Sequence, residues 1–326
     1  MGNLSKKIVF TPKKSPLKDV HDIKFFLCYF DLYLTIIKRT PMIKCLMQIK
    51  EEKSTFTALS CISNLTLFSL ILSFTMFCSS TYCNVMQQFI ASHIPLREDG
   101  KIDIPPYIKH IKLDIGLSYN APMSQQWLSH ESDLWVFGFE PNLNSVNTIK
   151  QGAIKRHPSH GDPLNPCYVG ESFFVIPCAL GLLSGGFVNF YITQGDCGCS
   201  SLYQPKYFAV EKVVEVPLFR LSNFFDLFPF DTHPVIEYIK IDAQGSDLDI
   251  AKSAGNYLAE RVIYITIEAE NDQYKNTINS GNDIDHYMKS IGFIRDFSQD
   301  TKDPTYFNPR FLDYIKKDKV KIFQRG

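Results

Sequence analysis

Three acids stand where apolar runs of this chain give way to small and polar residues: Asp114, Glu140 and Asp242. Asp114 is followed by Gly116, Ser118 and Asn120, a composition that suits a tight turn opening a helix. Glycine there lets the backbone approach a ligand, and the first helical turn offers unpaired N–H groups. Glu140 follows 26 positions after Asp114, the length of one strand-helix-strand unit. A carboxylate at that point accepts without donating and can take hydrogen bonds from both hydroxyls of a ribose. Asp242 precedes Gly245 at a third boundary of the same kind. In an open parallel sheet such boundaries face the same way, and ligands bind outside the carboxyl ends of the strands. Asp114, Gly116, Ser118, Glu140 and Asp242 are therefore the expected cofactor contacts. Asp242, with Glu268 at the next strand end, is the expected polar centre of the chemistry, as a base or as a group orienting cofactor and acceptor. The competing reading makes Asp242 a structural acid capping the helix from Ser246.

The elements that must carry these residues follow from the apolar pattern. Runs at 107–113, 134–139, 172–177, 236–241 and 262–267 read as strands alternating with helical or loop segments, including helices at 246–253 and 284–290. That alternation predicts an α/β domain with a largely parallel sheet. The runs 187–193 and 213–217 flank a loop rich in Gly, Cys and Ser and read as a hairpin-like insertion beside the sheet. A terminal strand or edge hairpin is expected near 305–308. The pair Pro105-Pro106 marks the start of the domain.

Charge is balanced overall, 34 basic against 34 acidic residues, so no nucleic-acid partner is indicated. Along the chain the balance is uneven. Residues 1–53 carry eleven Lys or Arg against five acids, and residues 54–96 carry no Asp, Glu, Lys or Arg at all. Within that uncharged stretch, residues 55–78 are long enough to cross a hydrocarbon core of about 30 Å. The expected organisation is a basic, partly disordered region 1–54, a transmembrane helix 55–78, a linker 79–106 and a catalytic domain 107–326. By the positive-inside rule the N-terminus of this single-pass protein is cytosolic, while the side on which the domain sits stays open. Nine cysteines are spread along the chain, and Cys197-Gly198-Cys199 lacks the second ligand pair a structural zinc site needs, so no metal ligands are assigned.

Four segments make the chain recognisable: Glu140-Pro141-Asn142, Pro177-Cys178-Ala179-Leu180, Ser200-Ser201-Leu202 and, most specific, Tyr238-Ile239-Lys240-Ile241-Asp242-Ala243-Gln244-Gly245-Ser246-Asp247-Leu248-Asp249-Ile250. In order and spacing they resemble FkbM-type methyltransferases over about residues 107–308. The resemblance implies a class I methyltransferase (Rossmann-like) fold, with a seven-stranded, mostly parallel sheet flanked by helices and its final strand antiparallel. It implies S-adenosylmethionine as cofactor and O-methylation of a small-molecule, sugar or glycan hydroxyl. On that resemblance Asp114 and Gly116 lie beside the amino-acid end of the cofactor, Glu140 at its ribose and Asp242 facing the methyl.

Two positions depart from the family pattern: Ser118 replaces the usual second glycine of the cofactor loop, and Gln244 replaces the usual Glu of the Asp-x-Glu-Gly signature. Ser118 and Ala121 also break the Gly-x-Gly-x-x-Gly fingerprint of a nicotinamide-dependent oxidoreductase, the first alternative. The second alternative, a catalytically inactive membrane-tethered binding protein, draws on Gln244.

Overall fold

A computed structural model describes residues 88–157, 160–269, 272–298 and 303–316. The basic region and the expected membrane span 55–78 lie outside the described residues, as does the expected N-terminal anchor helix. Among the described residues no helix is long and apolar enough to cross a membrane.

The chain runs β1 (His110–Ile115), α1 (Pro122–Leu128), β2 (Leu134–Phe139), α2 (Leu143–Gln151), β3 (Phe173–Ile176), β4 (Ala179–Leu180), β5 (Phe187–Thr193) and β6 (Val210–Phe219). It continues through α3 (Leu221–Leu227), β7 (Ile236–Ile241), α4 (Asp247–Ser253), α5 (Tyr257–Arg261), β8 (Val262–Ile267), α6 (Gly281–Ser290), β9 (Ile294–Arg295), β10 (Thr305–Phe307) and α7 (Leu312–Lys316). Seven strands form one sheet in the order β3-β2-β1-β7-β8-β10-β9. The first five are parallel to one another, and β10 lies antiparallel between β8 and β9. Every residue of β2 and β3 is buried, as are five of the six in β1. Strands covered on both faces read as apolar runs, unbroken in β2 and β3 and interrupted by Lys112 and Asp114 in β1, which is why the sequence pattern located them.

Order reverses at β1, with β2 on one side and β7 on the other, so the crevice outside their carboxyl ends is the switch point where ligands bind in such sheets. The insertion is a second sheet of three strands, β4-β6-β5, one strand more than the expected hairpin. Its extra strand, β4, is the Ala179-Leu180 pair that leaves the main sheet after β3. The segment expected as a linker also packs on the domain. Phe89, Ile90, Ile94, Ile102 and Ile104 are buried, and the Ile102 N–H donates to the Leu227 carbonyl at 2.9 Å.

The first strand is displaced from its expected position, starting at His110 rather than Tyr107 and ending at Ile115. Asp114 is consequently inside β1, in register with Gly138 of β2 and Lys240 of β7, and not at the strand end.

Candidate active site

The β1–α1 loop is folded tightly over the β7 end. Gly116 has φ +82°, and a Cβ built there would lie 1.7 Å from the Asp242 carbonyl oxygen, so no other residue fits. Ser118 follows with φ +56°, the left-handed conformation that explains a glycine as the common choice at this position. Ala121 precedes α1 with φ +45° and Pro122 opens the helix, where its fixed φ suits the first turn.

Beneath this loop the Asp114 carboxylate is buried. It accepts from the Ser124 hydroxyl at 2.6 Å and from the Ser124 N–H at 3.2 Å, joining β1 to the first turn of α1. Burial pushes its carboxyl above the ordinary value, and the neighbouring Lys240 ammonium opposes that. Lys240, the one lysine in the apolar run of β7, places Nζ 3.6 Å from Asp114, 3.1 Å from Asp242 and 3.1 Å from the Gly116 carbonyl. One ammonium thus ties β1, the cofactor loop and the β7 end together.

Glu140, at the end of β2, is buried. Burial pushes its carboxyl up to about 8, against hydrogen bonds from the N–H groups of Asn142, Ser118 and Leu117. The Asn142 N–H lies 2.8 Å away, and Asn142 itself caps α2 by accepting from the Asn144 N–H. Glu140 therefore holds the β1–α1 loop against the start of α2.

Asp242 is more exposed, with 27% of its side chain accessible. Burial raises its carboxyl, but the Lys240 charge and hydrogen bonds from Glu268, Gln244 and Lys240 outweigh this, and the group falls to about 2. Gln244 donates its amide to Asp242 at 2.9 Å and to Glu268 at 2.7 Å. The Tyr274 hydroxyl lies 2.7 Å from the Gln244 amide oxygen, and the Ser201 hydroxyl donates to its carbonyl at 2.6 Å. Asp242 does not cap α4. Asp247, the first residue of α4, accepts from the N–H groups of the preceding loop, Ala243 at 2.5 Å and Gly245 at 2.9 Å, while the Leu248 N–H donates to Asn279 at 2.9 Å; burial pushes the Asp247 carboxyl up to about 7.

These groups surround a cavity of about 330 Å³ within the range of small-molecule sites. Gly116, Ser118, Glu140 and Asp242 are in its wall, together with Lys240 and Gln244. Asp114 supports the floor from below, and Glu268 stands behind Asp242 and Gln244; neither lines the cavity. Phe139, Cys178, Ala179 and Leu180 give one end an apolar lining, suited to an aromatic base beside the Glu140 carboxyl. Residues assigned no part in the site from the sequence complete the wall: His160, whose Nδ1 is 2.8 Å from the Tyr119 hydroxyl, and Asp196 and Cys199 from the connection between β5 and β6. Three other histidines stand apart from the site: His233 is occupied with the Ile108 carbonyl at 3.0 Å, and none of His130, His233 and His286 reaches the cavity.

The order of the sheet and its single reversed strand have the arrangement implied by the sequence resemblance. The family model of the methyltransferase FkbM domain matches residues 129–295, just over half of the chain. The chain belongs to the FkbM methyltransferase family. No curated protein and no solved structure gives a match. The FkbM match begins after β1 and its loop, so Asp114, Gly116 and Ser118 join the site through the sheet register, with β1 hydrogen-bonded between β2 and β7. As a member of this family the chain is a methyltransferase, which sets aside the oxidoreductase alternative. The residues present fit a nucleoside-bearing sulfonium: an apolar recess, a ribose-height carboxyl at Glu140, and an anionic Asp242 for positive charge.

Proposed function

We propose that this methyltransferase uses S-adenosylmethionine to methylate a hydroxyl of a small molecule, sugar or glycan. The observation that carries the proposal is the convergence of Gly116, Glu140 and Asp242 from three neighbouring strand ends on one cavity. The cofactor would supply an already activated methyl group, so the chain's task is to hold the acceptor in line and manage one proton.

Asp242 suits an electrostatic role better than that of a base. A carboxylate held near 2 stays ionised at neutral pH and takes a proton reluctantly, whereas an effective base has a pKa near the working pH. It can orient the positive end of the cofactor, with Gln244 and Lys240 fixing its two oxygens. Proton acceptance from the hydroxyl then falls to another group of the wall, and the imidazole of His160 can take that part. The family assignment rather than any residue in the wall supports oxygen as the acceptor atom.

The uncharged stretch 55–78 and the basic excess before it support a single-pass membrane attachment with a cytosolic N-terminus. Protease protection of residues 107–326 in sealed membranes tests that placement. For the chemistry, calorimetry of the purified protein with S-adenosylhomocysteine and with NAD, followed by methyl transfer to a panel of hydroxyl and amine acceptors, is decisive. Tight binding of the first ligand alone and transfer to hydroxyls are expected; NAD binding or transfer confined to amines would sink the proposal.

A further inference from the structure

A second cluster of chemistry-bearing side chains lies at the opposite end of the same strands. His110 opens β1, Glu237 is the second residue of β7 and Glu131 is in the turn between α1 and β2; one ligand atom from each lies within 4.8 Å of the others. A six-residue strand separates this cluster from the cofactor cavity by roughly 15 Å. His110 Nδ1 is 2.7 Å from Glu237 Oε1, its Nε2 is 3.8 Å from Asp133, and Lys112 Nζ is 2.5 Å from Glu131 Oε1.

These contacts leave the cluster short of cations. The side chains of Glu131 and Glu237 are only 2% and 6% exposed, yet each keeps one oxygen, Oε2, buried and without a hydrogen-bond partner among the described residues. Two orphaned carboxylate oxygens in one place are costly, because a buried acceptor left unsatisfied forfeits its hydration. Of three carboxylates, Glu131 meets the Lys112 ammonium, while Glu237 and Asp133 meet only the His110 imidazole in the ion pairs of the cluster. With His110 neutral, a divalent ion would bring the group to formal neutrality. The side chains of His110 and Asp133, 21% and 37% exposed, leave an entry path.

We propose that His110, Glu131 and Glu237 form a structural binding site for a first-row divalent metal ion, zinc being the best match, with Asp133 at its open side. Imidazole nitrogen with carboxylate oxygens is a donor set such ions accept. Ligands about 2.1 Å from zinc in a tetrahedral shell stand about 3.4 Å apart, so the His110–Glu237 contact must open by less than about 1 Å. The ion would pin β1, β7 and the α1–β2 turn together, with no part in methyl transfer. Sequence alone does not show this set, since its members span 127 positions without a ligand-spacing motif.

The test is equilibrium dialysis of chelator-treated full-length protein against zinc, with bound metal counted per chain, and the absorption spectrum of the cobalt(II) form. Since cysteines elsewhere can also take zinc, the count is repeated on Glu131→Gln, Glu237→Gln and the double Cys197→Ser/Cys199→Ser variant. Expected are one zinc equivalent lost, or weakened by more than about 100-fold, in each glutamate variant and retained in the serine variant. Weak visible cobalt bands without a thiolate charge-transfer band are expected from the unaltered protein, which keeps the test intact should a glutamate variant fail to fold. Zinc binding unchanged by Glu237→Gln, loss of the metal with the cysteines, a thiolate band, or no bound metal would each overturn the proposal and leave two buried ion pairs.

Discussion

Gln244 donates its side-chain amide to Asp242 at 2.9 Å while the same nitrogen lies 2.7 Å from Glu268. The family's usual glutamate at this position would instead place a third carboxyl against two others, and carboxyls in contact cannot all ionise. Here the amide neutralises that conflict and leaves Asp242 the anion. Gln244 thus keeps the site ordered, and its presence is compatible with activity.

Gln244→Glu is therefore expected to destabilise the protein by about 1–3 kcal/mol at neutral pH. The introduced carboxyl would have a folded pKa above its unfolded value. Stability is then full below the unfolded pKa and is lost as pH rises through the folded one. Urea unfolding of both proteins at pH 5 and pH 8 checks this; an equal stability difference at the two pH values would contradict it.

Gly116→Ala should be among the most damaging single changes in the domain. Its Cβ would meet the Asp242 carbonyl oxygen at 1.7 Å, a backbone atom that cannot step aside, at a φ of +82°. A loss of more than about 3 kcal/mol is expected from overpacking and backbone strain together. Two positions on, Ser118→Gly relieves a left-handed serine and should gain up to about 1 kcal/mol. Denaturation midpoints test the pair. A wild-type midpoint for the alanine variant, or a clear loss for the glycine one, would show that the loop is not held as described.

What the sequence revealed divides along physical lines. The strands of the sheet were legible because burial on both faces favours apolar side chains, and Glu140 and Asp242 were legible as polar residues ending such runs. Asp114 was placed one layer too high, because an acid inside a strand contradicts strand preference until its partners Lys240 and Ser124 are known. Lys240 left a signal, a lysine amid the apolar residues of β7, that only tertiary contacts interpret. His160, from the α2–β3 connection, and Asp196 and Cys199, from the β5–β6 connection, lie in segments without periodicity, and the approach of the latter two to the cavity depends on how β5 and β6 fold back.

Glu140 links cofactor binding to pH. Its carboxyl is pushed up to about 8 by burial, so at neutral pH it is mostly protonated, whereas two ribose hydroxyls call for the carboxylate. Binding of S-adenosylhomocysteine should then release a proton and tighten as pH rises towards 8, by up to about tenfold per unit. Calorimetry at pH 7 in buffers of different ionisation enthalpy measures that proton, and Glu140→Gln should abolish the release and weaken binding by about 10–100-fold. Unchanged affinity in Glu140→Gln would mean that the ribose sits elsewhere.

The Lys240 ammonium is the group whose removal separates support from chemistry. Lys240→Met would leave Asp114 buried with only Ser124 to hold it, and stripping one partner from a buried pair costs about 3–5 kcal/mol. It would also remove the positive charge that keeps Asp242 low, so the Asp242 carboxyl should titrate higher. Adding Asp114→Asn to Lys240→Met removes the orphaned charge and should recover a large part of the stability. Because Asp242 remains without its ammonium, methyl transfer should stay low in the double variant. Unfolding energies and transfer rates measured on the single and double variants decide the matter: parallel recovery of both would assign Lys240 a purely structural place beneath the cofactor loop.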